Sequence, residues 1–261
     1  MMGATFAEFN APASWQAIDF LSDLHLDDET PRALAALAAH LRNTPADAVF
    51  ILGDLFEVWV GDDARHEGAE AACAAVLTDA AAQRTIGFMA GNRDFLVGTE
   101  MLTACGIVPL TDPTVLNAFG QRLLLTHGDA LCLADLDYQR FRAEVRSDEW
   151  QRNFLAQPLA ERRRVARHIR EQSQQHKAAQ SPDEWADVDT AAALQWMHQA
   201  NTPLMVHGHT HRPSSDVMAL GFTRHVLSEW SFDAPGGATA RADVLRWTRS
   251  GLTRVAPTPA P

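Results

Sequence analysis

Long apolar runs are missing from this 261-residue chain: none approaches the roughly 18 residues a membrane-spanning helix needs. The opening MMGATFAEFNAPASW has neither the basic start nor the apolar run of a signal peptide, so the cytosol is the expected compartment. Cysteine is scarce as well. Cys73, Cys105 and Cys132 are odd in number, far apart and without CxxC spacing, which argues against a disulfide framework and a cysteine zinc site. They read as small buried apolar groups. Lysine occurs once, at Lys177. An overall basic balance is lacking too, since the formal net charge is -11. A nucleic-acid protein would carry a basic balance across its whole domain, so no nucleic-acid partner is expected, and nothing points to a protein partner.

What is present begins with 46% hydrophobic residues, enough for a substantial core. The length admits one large domain or two small ones, and the strand pattern reads as one, over 1–261. Charge is unevenly spread. Between Tyr138 and Gln180 stand 10 basic residues, nine of them arginine, against 5 acidic ones. That segment is either a solvated helix face or a surface that attracts an anion such as phosphate, nucleic acid or an acidic membrane.

Short apolar runs that end in polar, glycine-containing turns alternate with alanine-rich helical stretches. AIDFLSDLHL, DAVFILGDLF and TIGFMAGNRDF read as strand then loop, while PRALAALAAHLRN and AEAACAAVLTDAAAQ read as helices, the first with Pro31 suited to an opening turn. The class is therefore α/β with parallel pairing. RLLLTHGDALC and PLMVHGHTHRP repeat the strand-to-loop pattern. From Tyr138 to Gln199 the pattern predicts helices only, an insertion over 138–199. After Pro213 come short β-like runs that suggest an antiparallel part, and the tail APTPAP reads as disordered.

The polar residues at five strand ends are Asp23 and His25, Asp54, Asn92, His127, and His209 with His211. They offer two carboxylates, one amide oxygen and four imidazoles, too many for one tetrahedral zinc but suited to two divalent ions bridged by a carboxylate. A mixed oxygen and nitrogen set without thiolate favours Mn, Fe, Zn or Co. His207 shares the last loop and reads as a hydrogen-bonding histidine that supports it.

The ordered set DLH, GDLF, GNRD, HGD and GHTH resembles the calcineurin-like metallophosphoesterases. The resemblance implies a β-sandwich flanked by helices, with two metals at the strand ends. By motif, Asp23, His25 and His211 would hold one metal and Asn92, His127 and His209 the other, with Asp54 bridging. Arg93 stands where that superfamily commonly has histidine. With FLSDLHL, GDLFEVWVGDD, HGDALC, YQRFR and HGHTHRP, this variant is similar to the UDP-2,3-diacylglucosamine diphosphatases of lipid A biosynthesis.

This closer resemblance implies a UDP-linked diacyl sugar as substrate, split into UMP and 2,3-diacylglucosamine 1-phosphate. It also implies that the insertion is a helical lid over the acyl chains, that manganese is preferred, and that the protein associates peripherally with the cytoplasmic face of the inner membrane. Asp54 and Arg93 would be catalytic, Arg93 by contacting a phosphate oxygen. Asn92, Arg93, Asp135 and His209 would bind substrate, although an Asp in LADLDY reads equally as nothing more than a helix cap. In the lid the family has a Ser, a polar residue four positions on and a Lys three further, whereas this chain has Ser173, Lys177 and Gln180. Lys177, one helical turn from Ser173, would then take over the lost positive contact, with Gln180 left as a neutral donor.

Two other readings compete. Another metallophosphoesterase, acting on a different nucleotide diphosphate or phosphodiester, explains the ligands but not an arginine-rich lid. A non-catalytic scaffold of the same fold should lack ligands, and none is missing here.

Overall fold

The computed structural model describes residues 6–178, 187–233 and 240–258, with 172–178 as backbone alone. Two six-stranded sheets face each other. One runs, in spatial order, β12 (Gly251–Val255), β11 (Val244–Thr248), β2 (Ala17–Leu21), β3 (Ala48–Leu52), β4 (Thr85–Met89) and β5 (Val108–Leu110). The other runs β1 (Ala7–Asn10), β6 (Thr114–Ala118), β7 (Gln121–Leu125), β8 (Leu204–His207), β10 (Phe222–Val226) and β9 (Ser214–Ala219).

Strands β2 to β5 are parallel and neighbours in sequence are neighbours in space. They are joined through α1 (Pro31–Asn43), α2 (Gly68–Ala81) and α3 (Thr99–Cys105). Right-handed crossovers in one direction put all three helices on one face. Strand β3 shows the result. Val49 and Ile51 pack toward the helices with Leu37, Leu77 and Met101, whereas Ala48, Phe50 and Leu52 pack toward the second sheet with Leu116, Leu125 and Val206. Both faces are covered, which is why AVFIL is an unbroken apolar run rather than an alternating one.

The insertion holds α4 (Leu136–Val145), α5 (Asp148–Leu155), α6 (Leu159–Ala178) and α7 (Thr190–Gln199). These are two kinds of helix. Ala193 and Met197 of α7 pack on Val115, Leu124 and Met205, so α7 forms the outer cover of the second sheet. Phe154 of α5 and Ala166 of α6 instead join the helical cluster beside Trp59, Val60 and Ala64, with Leu159 and Val165 partly buried there. No helix among the described residues is long and apolar enough to cross a membrane.

The β-runs after Pro213 form antiparallel pairs, β9 with β10 and β11 with β12, but the two pairs belong to different sheets. Strand β10 also pairs in parallel with β8. The expected disorder of APTPAP is corrected at its start, where the Thr258 N–H donates to His40 Nδ1 at 3.1 Å.

Candidate metal centre

The loops that follow β2, β3, β4, β7 and β8 converge, and they bring all seven sequence-predicted ligands together. Asp54 sits in the middle. Its Oδ2 lies 4.0 Å from His25 Nε2 and its Oδ1 lies 3.6 Å from His127 Nε2. On the first side, His211 Nε2 is 3.3 Å from Asp23 Oδ1 and 3.3 Å from His25 Nε2. On the second, Asn92 Oδ1 is 2.9 Å from His127 Nε2 and 2.8 Å from His209 Nδ1. Asp23, His25 and His211 form one group able to hold a metal ion, and Asp23, Asp54 and His127 form another.

Local backbone geometry explains the convergence. Asp23, His25, Asp54, His209 and His211 all have φ between 51° and 68°, the left-handed region that non-glycine residues avoid. Among the described non-glycine residues only Phe119 and Asn201 join them. Such strain gathers where the surroundings over-determine a functional conformation. Two glycines then allow close approach. A Cβ on Gly91 would lie 2.2 Å from Asp54 Oδ1, and one on Gly208 would lie 2.4 Å from Asp23 Oδ2.

Three imidazoles are oriented from behind through Nδ1. His25 faces Glu57 Oε2 at 3.1 Å, an ion-pair contact without hydrogen-bond geometry, while His211 faces Glu229 Oε2 at 2.5 Å and His127 faces the Leu52 carbonyl at 2.9 Å. A proton on each Nδ1 leaves the Nε2 lone pair aimed into the cluster, the arrangement that supports metal-binding histidines. The His25 and His211 lone pairs would then point at each other and at Asp23, an arrangement that fits a cation between them.

The electrostatics agree. Burial pushes the His25 imidazole down to about 4, and burial together with the charge on His127 pushes His209 down to about 3. Burial works against charge on His127 and His211 too, but Asp54 and Asp129 hold His127 up to about 9, and Asp23 and Glu229 hold His211 up to about 10. The carboxylates thus call for positive charge here, which a divalent cation supplies while displacing the protons.

Further residues brace the site. The buried Asp94 carboxylate accepts the N–H groups of Gly91 and Leu55, both at 2.7 Å, and ties the two loops together. Asp129 accepts from the Tyr138 hydroxyl at 2.5 Å and from Arg142 Nε at 2.8 Å, which fastens α4 to the core while the Tyr138 ring stacks beside His209. Sequence reasoning missed Glu57, Glu229, Asp94 and Asp129 as supports. Asp94 and Asp129 stood inside quoted motifs, GNRD and HGD, whereas nothing local singled out Glu229.

Arg93 donates its N–H to Asp54 Oδ1 at 2.8 Å, and its Nε is buried without a hydrogen-bond partner. Asp135 caps α4 by accepting the Tyr138 N–H at 3.0 Å. His207 is buried behind the cluster, with Nδ1 2.8 Å from the Gly208 carbonyl. Ser173 and Lys177 fall in the part of α6 whose side chains are outside the described residues, and Gln180 lies outside them altogether. The arginine run is largely committed to internal ion pairs. Arg162 is 3% exposed, binding Asp63 and the Val60 carbonyl, and Arg163 pairs with Glu67 at 2.7 Å. Arg170 pairs with Glu57, the carboxylate behind His25.

A family model described as calcineurin-like phosphoesterase matches residues 17–213, and the chain belongs to that family. Within it, the chain is similar to the UDP-2,3-diacylglucosamine hydrolases. It is 44% identical to that of Chromobacterium violaceum, over 82% of this chain and 90% of the relative. It is 39% identical to that of Stenotrophomonas maltophilia, over 90% of this chain and 98% of the relative.

Proposed function

We propose that this chain hydrolyses the diphosphate bond of UDP-2,3-diacylglucosamine, giving UMP and 2,3-diacylglucosamine 1-phosphate for lipid A biosynthesis. The observation that carries the reading is the seven-residue cluster centred on Asp54, in a chain so similar to the hydrolases of that name. Asp23, His25 and His211 would hold one divalent ion and Asn92, His127 and His209 the other, with one Asp54 oxygen toward each. When bound, the two ions, manganese in our reading, neutralise phosphoryl charge and make water a stronger nucleophile at neutral pH.

The chain's own groups do the rest. Water adds to the α-phosphorus and releases a proton to solvent, the bond to the bridging oxygen breaks, and its electron pair leaves with the sugar 1-phosphate. Arg93, always charged and planar, would bind a phosphate oxygen, and its unmet Nε supports that role. Asn92 and His209 would border the same oxygens, and Asp135 would contact substrate from the start of α4. The segment α4–α6 acts as the lid over the acyl chains, which Leu133, Leu136 and Leu155, all exposed, would meet. Ser173, Lys177 and Gln180 would reach the substrate from the lid. Exposed Arg164 and Arg167 would draw the protein to the anionic cytoplasmic surface of the inner membrane.

Incubating the purified protein and Mn²⁺ with a panel of nucleotide diphosphates, including the diacylated UDP-sugar, and weighing the products tests the reading. UMP and the diacylated sugar 1-phosphate are expected. Asp54→Asn should lower turnover by orders of magnitude with the fold intact. Near-parental activity in that variant would sink the two-metal assignment.

A further inference from the structure

The cluster has two flanks of different character. Toward β3 and β4 stand the lid contacts, Arg170 on Glu57 and Arg162 on Asp63. Toward β9 and β10 a cleft of about 500 Å³ opens beside His211, within the roughly 300–1,000 Å³ of small-molecule sites. Among the described residues, Pro213 and Val226 are the only apolar ones lining it. The wall includes Asp187 and Asp216, both fixed by Arg224 at 3.2 Å. Two further wall atoms, Thr210 Oγ1 and Arg224 Nε, are buried without a hydrogen-bond partner.

An acyl chain would leave those two atoms unmet and would lie against a wall that is otherwise charged or polar. A lone inorganic anion would meet the arginines of the wall, Arg212, Arg224 and Arg241, but would fill little of the volume. A nucleoside matches each feature. Ribose hydroxyls donate to carboxylates such as Asp187 and Asp216, and the carbonyl and ring N–H groups of a base complement Arg224 and Thr210. We propose that this cleft is the nucleoside subsite, taking the ribose and base while the attached phosphate lies at its His211 end. The proposal rests on the nucleotide-diphosphate reading above and gives it a direction: sugar and acyl chains under the lid, nucleoside on the opposite flank, scissile bond between.

Calorimetric titration of the Mn²⁺-loaded protein with UMP and with inorganic phosphate tests the subsite, in the parent and in Thr210→Val and Asp216→Ala. UMP should bind the parent more tightly than phosphate. Each variant should raise the UMP Kd about fivefold relative to the phosphate Kd, the loss of roughly one hydrogen bond. A parent that binds UMP no better than phosphate, or variants that weaken both ligands equally, would overturn it. Preferential UMP binding by a protein that leaves the diacylated UDP-sugar intact would instead overturn the proposed substrate and keep the subsite.

Discussion

Gly91→Ala tests how much of the site's function depends on one absent methyl group. Gly91 has no positive φ, so alanine suits its backbone and the cost is purely steric. The new Cβ would lie 2.2 Å from Asp54 Oδ1, 2.5 Å from Asp54 N and 2.9 Å from His127 Cε1, where ordinary contact begins near 3.4 Å. The Asp54 carboxylate must therefore retreat by about 1.2 Å, the difference between those limits. Overpacking of this kind costs about 1–3 kcal/mol of stability. A displacement near 1 Å at a reacting centre costs about 100-fold in rate. Gly120→Ala is the control: nothing stands within 4 Å of its Cβ, but its φ of +77° makes alanine cost about 1–2 kcal/mol. Thermal melts, metal content by mass spectrometry and turnover should separate the two. Both variants should melt earlier, and only Gly91→Ala should lose metal or rate. Parental turnover and metal content in Gly91→Ala would refute the argument that Asp54 must hold this position.

Glu57→Gln and Glu229→Gln should each weaken metal binding about 10–100-fold in calorimetry, because His25 and His211 lose the charged acceptor behind Nδ1; unchanged affinity in both would remove these carboxylates from the centre. Reversing Arg163, Arg164 and Arg167 should reduce sedimentation with acidic vesicles by on the order of 1 kcal/mol per charge, less at high salt, and indifference would mark the run as a solvated, internally paired face. Burial raises the Asp19 carboxyl, but Arg246, donating to it at 2.7 and 2.8 Å, wins and holds it down to about 2. A depressed carboxyl stabilises the fold above its unfolded value near 3.8 and loses that contribution as pH falls through about 2. Urea melts at pH 5 and pH 2.5 should show about 2 kcal/mol of this loss in the parent and less in Arg246→Gln, and equal losses in the two would refute it.

The strand ends were legible because parallel strands covered on both faces are continuous apolar runs, and the polar residue that stops each run stands out. AVFIL followed by GDLF is the clearest case. Strands β1 and β6 were missed: AEFN and TVLNA are short, mix polar with apolar residues, and are paired across more than 100 positions. The assignment of β9 and β10 to one sheet and β11 and β12 to the other was equally hidden, since alternation identifies a strand but not its neighbour. At the site, donor types and order sufficed to pick out the residues that converge. Their supports depend on tertiary approach, as Glu229 does on meeting His211 and Arg162 on meeting Asp63, 99 residues away. A run of arginines looks the same in sequence whether it faces solvent or acidic loops.

The five proposed ligand residues held at φ near 60° have a consequence for the metal-free chain. Each left-handed backbone costs roughly 1 kcal/mol that glycine would not incur. The empty fold therefore harbours a reserve of instability at one end of its sheets, released by substitutions that destroy the donors. Selection for heat tolerance in the absence of metal should find glycine or asparagine at these positions first, and every such gain would be a step away from an enzyme.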